Sequence, residues 1–423
     1  MTERKAGVLM HITSLPGRFG IGTFGREAYD FIDFLYEAGQ TAWQILPLNP
    51  LGDGFSPYQS PSVFKISPLM LDMDELVKKG YIKACELPPE ISVARVDYEY
   101  VTREFSRVAA LVAARARDCI QDELMSQWLR LRAYAGERGI EIIGDMPIYV
   151  APGSDDVVRD ASLFLVDENG YPTDVAGCPP DAFCDAGQMW NNPLYNWDAM
   201  REDGFRWWIK RMHHAMQLFD RVRLDHFRGF EAYWAIPRDA LSAREGRWVK
   251  GPGAQLFSAM RAELGDLPII AEDLGYITPE VEQLRHAAMA PGMAVLQFAF
   301  DAPDSPYLPC NIKHDCVVYT GTHDNNTTLG WAHDCPYEKT RGIMDYIGAK
   351  DISDMPIQMI RAAYNSAAQL AVVPIQDFLG LSSDARMNTP STPGGNWRFR
   401  VSEKMLTPAL AEMMKRESIA VGR

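Results

Sequence analysis

PIIAEDLG, residues 268–275, reads as a strand that ends in chemistry: Pro268 to Ala271 are apolar, and Glu272, Asp273 and a turn glycine follow. An apolar run without alternation is what a parallel strand covered on both faces shows. Seven further segments share this character: GVLMHI (7–12), TAWQILPL (41–48), IEIIGDMPI (140–148), RVRLDH (221–226), AVLQFAF (294–300), CVVYTGTHD (316–324) and LAVVPIQD (370–377). Helical stretches lie between them. GREAYDFIDFLYEAG (25–39) spaces Phe31, Phe34 and Leu35 on one face and closes on Gly39. SQWLRLRAYAGERG (126–139) and TPEVEQLRHAAM (278–289) are two more, the latter opening on Thr278 as cap and Pro279 in the first turn. Eight strands alternating with helices predict an α/β fold, a (β/α)8 TIM barrel. A doubly wound sheet is the competing arrangement, but it wants a glycine-rich phosphate turn after its first strand, and none is there.

Two connections are long, about 49–95 after the second strand and about 149–206 after the third. The expected organisation is one catalytic barrel domain over 1–423 with inserted subdomains at those places. Long structured loops after barrel strands build the active-site face. The second loop carries Trp190, Tyr195 and Trp197, aromatic side chains of the kind that stack on sugar rings.

The composition narrows the partners. A net charge of -14 with no dense Lys/Arg run argues against a phosphate-tracking surface, hence no nucleic acid, and against attachment to an anionic membrane. The first residues, MTERKAGVLMHITSLPGR, make a poor signal peptide, and no apolar segment reaches spanning length. Seven scattered cysteines suit reduced thiols, so the expected location is cytoplasmic. Cys178 and Cys184 have no CxxC pairing or nearby His, and no metal is expected.

Acetal cleavage needs one carboxylic acid to protonate the leaving oxygen and one carboxylate as nucleophile or base. Asp225 in RLDHFRG, Glu272 in AEDLG and Asp324 in GTHDN stand at the ends of the fourth, fifth and seventh strands, where a barrel keeps its catalytic groups. Any one of them taken alone equally fits a cap of the following helix. Arg223 and Asp225 are two apart and so share a strand face, where a guanidinium favours the ionised carboxylate. His226 and His323 adjoin two of the acids and read as hydroxyl-binding donors.

These residues sit in segments that resemble the 4-α-glucanotransferases (amylomaltases, or disproportionating enzymes) of glycoside hydrolase family 77. The resemblance runs from SLPGRFGIGTFG (14–25) through LPLNPLGDGFSPYQSPS (46–62), GDMPIYVAPGSDDV (144–157), GQMWNNPLYNW (187–197), RLDHFRGFEAYWAIP (223–237) and EGRWVKGPGAQLF (245–257). It continues in AEDLGYITPEV (271–281), YTGTHDNNTTLGW (319–331) and ARMNTPSTPGGNWRFR (385–400). The resemblance implies Asp225 as nucleophile, Glu272 as general acid/base and Asp324 as transition-state stabiliser. It implies that Tyr58, Arg223, His226 and His323 line the sugar at the cleavage point. It places Asp181, Gln188, Trp190, Phe298 and Asn388 along flanking glucose subsites, and makes 246–255 a loop arching over the chain. Substrates would be α-1,4-glucans and maltooligosaccharides, and no cofactor is implied.

Four departures stand out, the first being Asp53 in GDGFSPY, where the family often carries tyrosine in GYGDSPY at an accessory glucan-binding spot. The 97–126 region is roughly 60 residues shorter than in the family. Asn191 stands where GNPLY has glycine, and TPSTPGGNW departs from the family's TPGT. An α-glucan hydrolase using the same acids is the alternative reading, and a catalytically inactive carbohydrate-binding protein is a third. Patterning sets no oligomeric state.

Overall fold

The computed structural model describes residues 4–116, 120–180, 186–392 and 394–423. Eight strands form one sheet, and the protein is a (β/α)8 barrel. They are β1 (Lys5–Leu9), β2 (Ala42–Gln44), β3 (Glu141–Met146), β4 (Arg221–Leu224), β5 (Ile269–Ala271), β6 (Gly292–Val295), β7 (Cys316–Tyr319) and β8 (Leu370–Pro374). Six fall inside the segments that the apolar runs marked, and β1 and β6 overlap theirs but begin two residues earlier. Every residue of β2, β5, β6, β7 and β8 is buried, which is why these strands show no alternation.

The chain divides into two compact units. The first comprises 1–46, 66–143 and 294–423. In it β1 pairs in parallel with β8 and β2, β8 with β7, and β2 with the start of β3. The helix Arg26–Glu37 lays Phe31 edge-on to Trp43 of β2, with ring centroids 5.1 Å apart. Gly39 ends that helix at φ +65°, a left-handed turn that glycine enters without a Cβ clash. The shortened region still folds as two helices, Tyr98–Ala116 and Ile120–Glu137. Tyr98, Val101, Phe105, Val108 and Val112 are buried at helical spacing on the first, and Leu124, Trp128, Leu131 and Ala135 on the second. Trp128 meets Phe24 at 5.1 Å.

The second unit comprises 47–65 and 144–293. Its β4 and β5 pair in parallel. Gly144 admits the ring of Phe219, since a Cβ there would stand 2.2 Å from it. The long connection after β3 holds part of an antiparallel sheet that apolar periodicity does not announce. Its strands are Gln188–Pro193, Asp174–Cys178, Ala232–Pro237 and Arg247–Lys250, adjacent in that order. Much of the expected arching loop at 246–255 is therefore strand. Trp248 packs edge-on to Trp234 at 5.1 Å, Arg247 pairs with Asp174 at 2.9 Å, and the next helix begins at Ala254. Tyr195 and Trp197 also differ from expectation, because both are buried. They belong to an aromatic cluster with Phe164, Trp207, Trp208 and Phe230, and the Tyr195 hydroxyl donates to the Ile148 carbonyl at 2.8 Å. A tyrosine so placed cannot stack on a sugar.

Among the described residues no helix is long and apolar enough to cross a membrane.

Candidate active site

In the second unit the ends of β3, β4 and β5 are laced together by backbone bonds. Asp225 N–H donates to the Met146 carbonyl, Glu272 N–H to Leu224, and Phe227 N–H to Glu272, each at 3.0 Å. His226 takes a left-handed backbone, φ +48°, which turns its own N–H onto the Glu272 carboxylate at 2.7 Å. Its ring meets Trp190 edge-on at 4.9 Å. Burial lowers the imidazole to about 4 against the opposing pull of Asp225, so His226 is neutral near pH 7.

Arg223 is the hub of this cluster. It is 3% exposed and its Nη1 reaches Asp225 at 3.0 Å and both oxygens of Asp145 at 2.8 and 2.9 Å. Tyr58 donates its hydroxyl to Asp145 at 2.8 Å. Burial works against the charge on Arg223, but Asp145, Asp225, Tyr58 and Glu272 outweigh it and the guanidinium stays protonated. The two sequence-marked acids beside it have opposite surroundings. Asp225 carries the ion pair with Arg223. Glu272 is driven well above the usual carboxylate range by burial, Arg223 opposing and Asp225 and Asp273 adding to the rise. Glu272 is half-buried, and its two neighbouring carboxylates reinforce the rise.

Gln188 and Trp190 lie on one strand, where Trp190 Nε1 donates to Gln188 Oε1 at 3.0 Å. Gln59 anchors the same strand, donating to the Trp190 carbonyl at 3.2 Å and to Asn192 at 3.0 Å. Asp181 lies outside the described residues. Asn191 has φ +63°, the conformation that glycine takes most readily.

In the first unit, Asp324 sits in the loop between β7 and the helix Thr328–Asp334. Asn388 donates to its carboxylate at 2.6 Å, and His323 Nε2 lies 3.4 Å from the other oxygen. Arg386 donates to the Asp324 carbonyl at 2.5 Å and to the Asn388 carbonyl at 2.8 Å, joining the two segments. His323 is buried and packs against the Trp397 ring at 5.9 Å. His11, at the end of β1, is lowered to about 3 by burial and by His323, and lines with His323 and Arg386 a small cavity. Phe298 is half-buried and meets Tyr307 edge-on at 6.2 Å.

Sequence reasoning missed Asp145, Gln59 and Arg386. The signal for Asp145 was available, as an acid at the end of a parallel strand just like Asp225 and Glu272. Gln59 and Arg386 act through loop contacts that no spacing announces.

Comparison with known proteins fits this arrangement. The family model for 4-alpha-glucanotransferase matches residues 10–124 and 107–407. The chain belongs to the 4-alpha-glucanotransferase family. The 4-alpha-glucanotransferase of Streptococcus pneumoniae serotype 4 is 42% identical, with 97% of this chain and 96% of that protein covered. That of Thermus thermophilus is 41% identical over 96% of each. An amylomaltase from Streptococcus agalactiae in complex with acarbose superposes with a TM-score of 0.91 at 35% identity, covering all of both chains. The pneumococcal alignment extends over 488 positions, more than the 423 residues of this 4-alpha-glucanotransferase. The two matched stretches overlap at 107–124, within the region expected to be short.

Proposed function

We propose that this 4-alpha-glucanotransferase works by a retaining, two-step mechanism through a covalent glycosyl-enzyme on Asp225. The observation that carries the reading is the contrast between two neighbouring carboxyls. Asp225 is ion-paired with a protonated arginine, and Glu272 is pushed toward its protonated form by burial and by the neighbouring carboxylates. A carboxylate paired with a guanidinium suits the nucleophile, and a neighbouring carboxyl pushed toward its protonated form suits the general acid.

In the first step an Asp225 oxygen attacks the anomeric carbon of an α-1,4-glucan. The glycosidic C–O bond breaks, and the Glu272 proton passes to the departing 4-oxygen. In the second step Glu272, now a carboxylate, takes the proton of an acceptor glucan's 4-hydroxyl. That oxygen attacks the anomeric carbon, releases Asp225 and restores the α-linkage. Asp324 stabilises the oxocarbenium-like charge, a role supported by its match to the family motif THDN and by the two neighbours that fix its carboxylate. Arg223, His226, His323 and Tyr58 hold the sugar at the cleavage point, and Asp181, Gln188, Trp190, Phe298 and Asn388 the flanking glucoses. Carboxylates carry both the proton and the covalent work, so the steps call on no cofactor. The reaction is placed in the cytoplasm, within a single catalytic domain.

Incubation with maltotriose tests the reading. Glucose together with maltooligosaccharides longer than maltotriose is the expected outcome. Glucose and maltose alone would mean that water resolves the intermediate and the protein is a hydrolase. The retaining assignment is checked in a crystal structure, where the Asp225 and Glu272 carboxyls should stand about 5–5.5 Å apart.

A further inference from the structure

We propose that Asp377, a buried carboxylate following β8, is a positioning residue for Asp324. The proposal rests on the reading of Asp324 as the transition-state stabiliser.

Asp324 lies midway along a loop whose ends are Thr320, the first residue after β7, and Thr328, the first residue of the next helix. Both threonines are fully buried and Asp377 is 3% exposed. Asp377 follows β8 and takes both loop ends on one carboxylate. Its Oδ2 accepts from Thr320 Oγ1 at 2.5 Å and from Thr328 Oγ1 at 2.7 Å, and its Oδ1 accepts the Thr328 N–H at 2.7 Å. Bonds to an ionised acceptor are short and about twice as strong as neutral ones. A single oxygen bridging two hydroxyls fixes the distance between the ends of the loop.

The loop interior converts that fixed span into a fixed Asp324. Asn325 Oδ1 accepts from both the N–H and the hydroxyl of Thr322 at 2.9 Å, and Thr322 Oγ1 accepts the Asp324 N–H at 3.3 Å. Gln297 donates to the Asn326 carbonyl at 2.8 Å. Little slack remains between Thr320 and Thr328, so a change in the span is passed to Asp324. Burial raises the Asp377 carboxyl, and the three donors oppose that rise without cancelling it. A carboxylate placed there at such cost in desolvation, on a loop that an apolar pair could close, fits a demand for placement.

Thr320→Val and Thr328→Val remove the two hydroxyl bonds with little change in shape and keep the backbone bond to Oδ1. The double variant should lose about 10- to 100-fold in kcat for maltotriose disproportionation, the scale of an ångström-level misplacement, with KM within about 2-fold. Thr320→Ser with Thr328→Ser keeps both hydroxyls and should return kcat to near the wild-type value. Asp377→Asn keeps the size but replaces charged bonds by neutral ones, and should fall between. The deciding measurement is the valine pair in an Asp324→Asn background, where the further loss should be under about 2-fold because the pair acts through Asp324. A folded valine pair with wild-type kcat overturns the proposal, as does a loss that persists in full in the Asp324→Asn background. If Asp324→Asn itself keeps wild-type kcat, the assigned role of Asp324 falls and this proposal with it. If Asp324→Asn is impaired and the valine pair is not, the role stands and this proposal alone fails.

Discussion

At Asn191 and Ser391 the backbone turns with φ of +63°. Both are places where the family motifs carry glycine, so the two departures changed the side chain and kept the turn. A left-handed residue with a Cβ costs about 1–2 kcal/mol, less for asparagine, and glycine returns roughly 0.4–1 kcal/mol of that as unfolded-chain entropy. Ser391→Gly should therefore stabilise by up to ~1 kcal/mol, and Asn191→Gly should be within ~0.5 kcal/mol of neutral, both read by denaturant unfolding. Glu272 supports a sharper test. Its carboxyl must be protonated for the first step, so activity should fall on the alkaline side as that proton leaves. Glu272→Gln should cost about 10²–10⁴-fold in kcat and remove this alkaline limb. Stability follows the same sign. The unfolded glutamate loses its proton near the ordinary value, whereas the folded one keeps it to higher pH. The contribution of this group is thus full at low pH and is lost as pH rises through the folded value. Glu272→Gln should make unfolding free energy less pH-dependent above about pH 5; an unchanged slope would contradict the buried-acid reading.

At the scale of elements, the eight barrel strands were legible because burial on both faces leaves an apolar run that needs no partner to be recognised. The antiparallel sheet was not. Its strands Gln188–Pro193 and Arg247–Lys250 are largely exposed or half-buried, and each is a strand only through pairing with one neighbour, Asp174–Cys178 or Ala232–Pro237. The same gap misplaced Tyr195 and Trp197, since an aromatic in a polar sequence looks exposed until its neighbours are known. At the site, the positions of Asp225 and Glu272 directly after their strands were legible in the sequence. Arg386 and Asp377 were not, because each acts through a contact with a distant segment, whereas Asp145 carries the same strand-end signal as Asp225 and Glu272. The shortened helical pair makes its own prediction. Trp128 is fully buried against Phe24, so Trp128→Ala should cost about 3–5 kcal/mol in unfolding free energy. The kcat of the folded fraction should be unchanged, because neither Trp128 nor Phe24 belongs to the proposed machinery. A drop in kcat at full folding would mean that the helical pair takes part in catalysis.

For the whole molecule, the net charge of -14 bears on how substrate arrives. A strongly charged protein attracts or repels charged ligands over a Debye length, and salt weakens that effect. A glucan carries no charge, so the long-range field does no work on it. The charges that matter in the reading offered here are local. Arg223 is buried with Asp145 and also holds the half-buried Asp225, and a pair as deep as Arg223 with Asp145 is screened little by salt. Both considerations point the same way. Raising NaCl from about 0.05 M to about 0.5 M should change kcat/KM for maltotriose by less than about 2-fold, although it shortens the Debye length from roughly 14 Å to about 4 Å. The measurement has a built-in contrast, because surface pairs such as Arg18 with Glu90 are exposed and do feel salt. Stability should therefore respond to ionic strength where kcat/KM does not. A steep fall in kcat/KM with salt would instead point to a charged group on the true substrate, and would count against a neutral α-glucan.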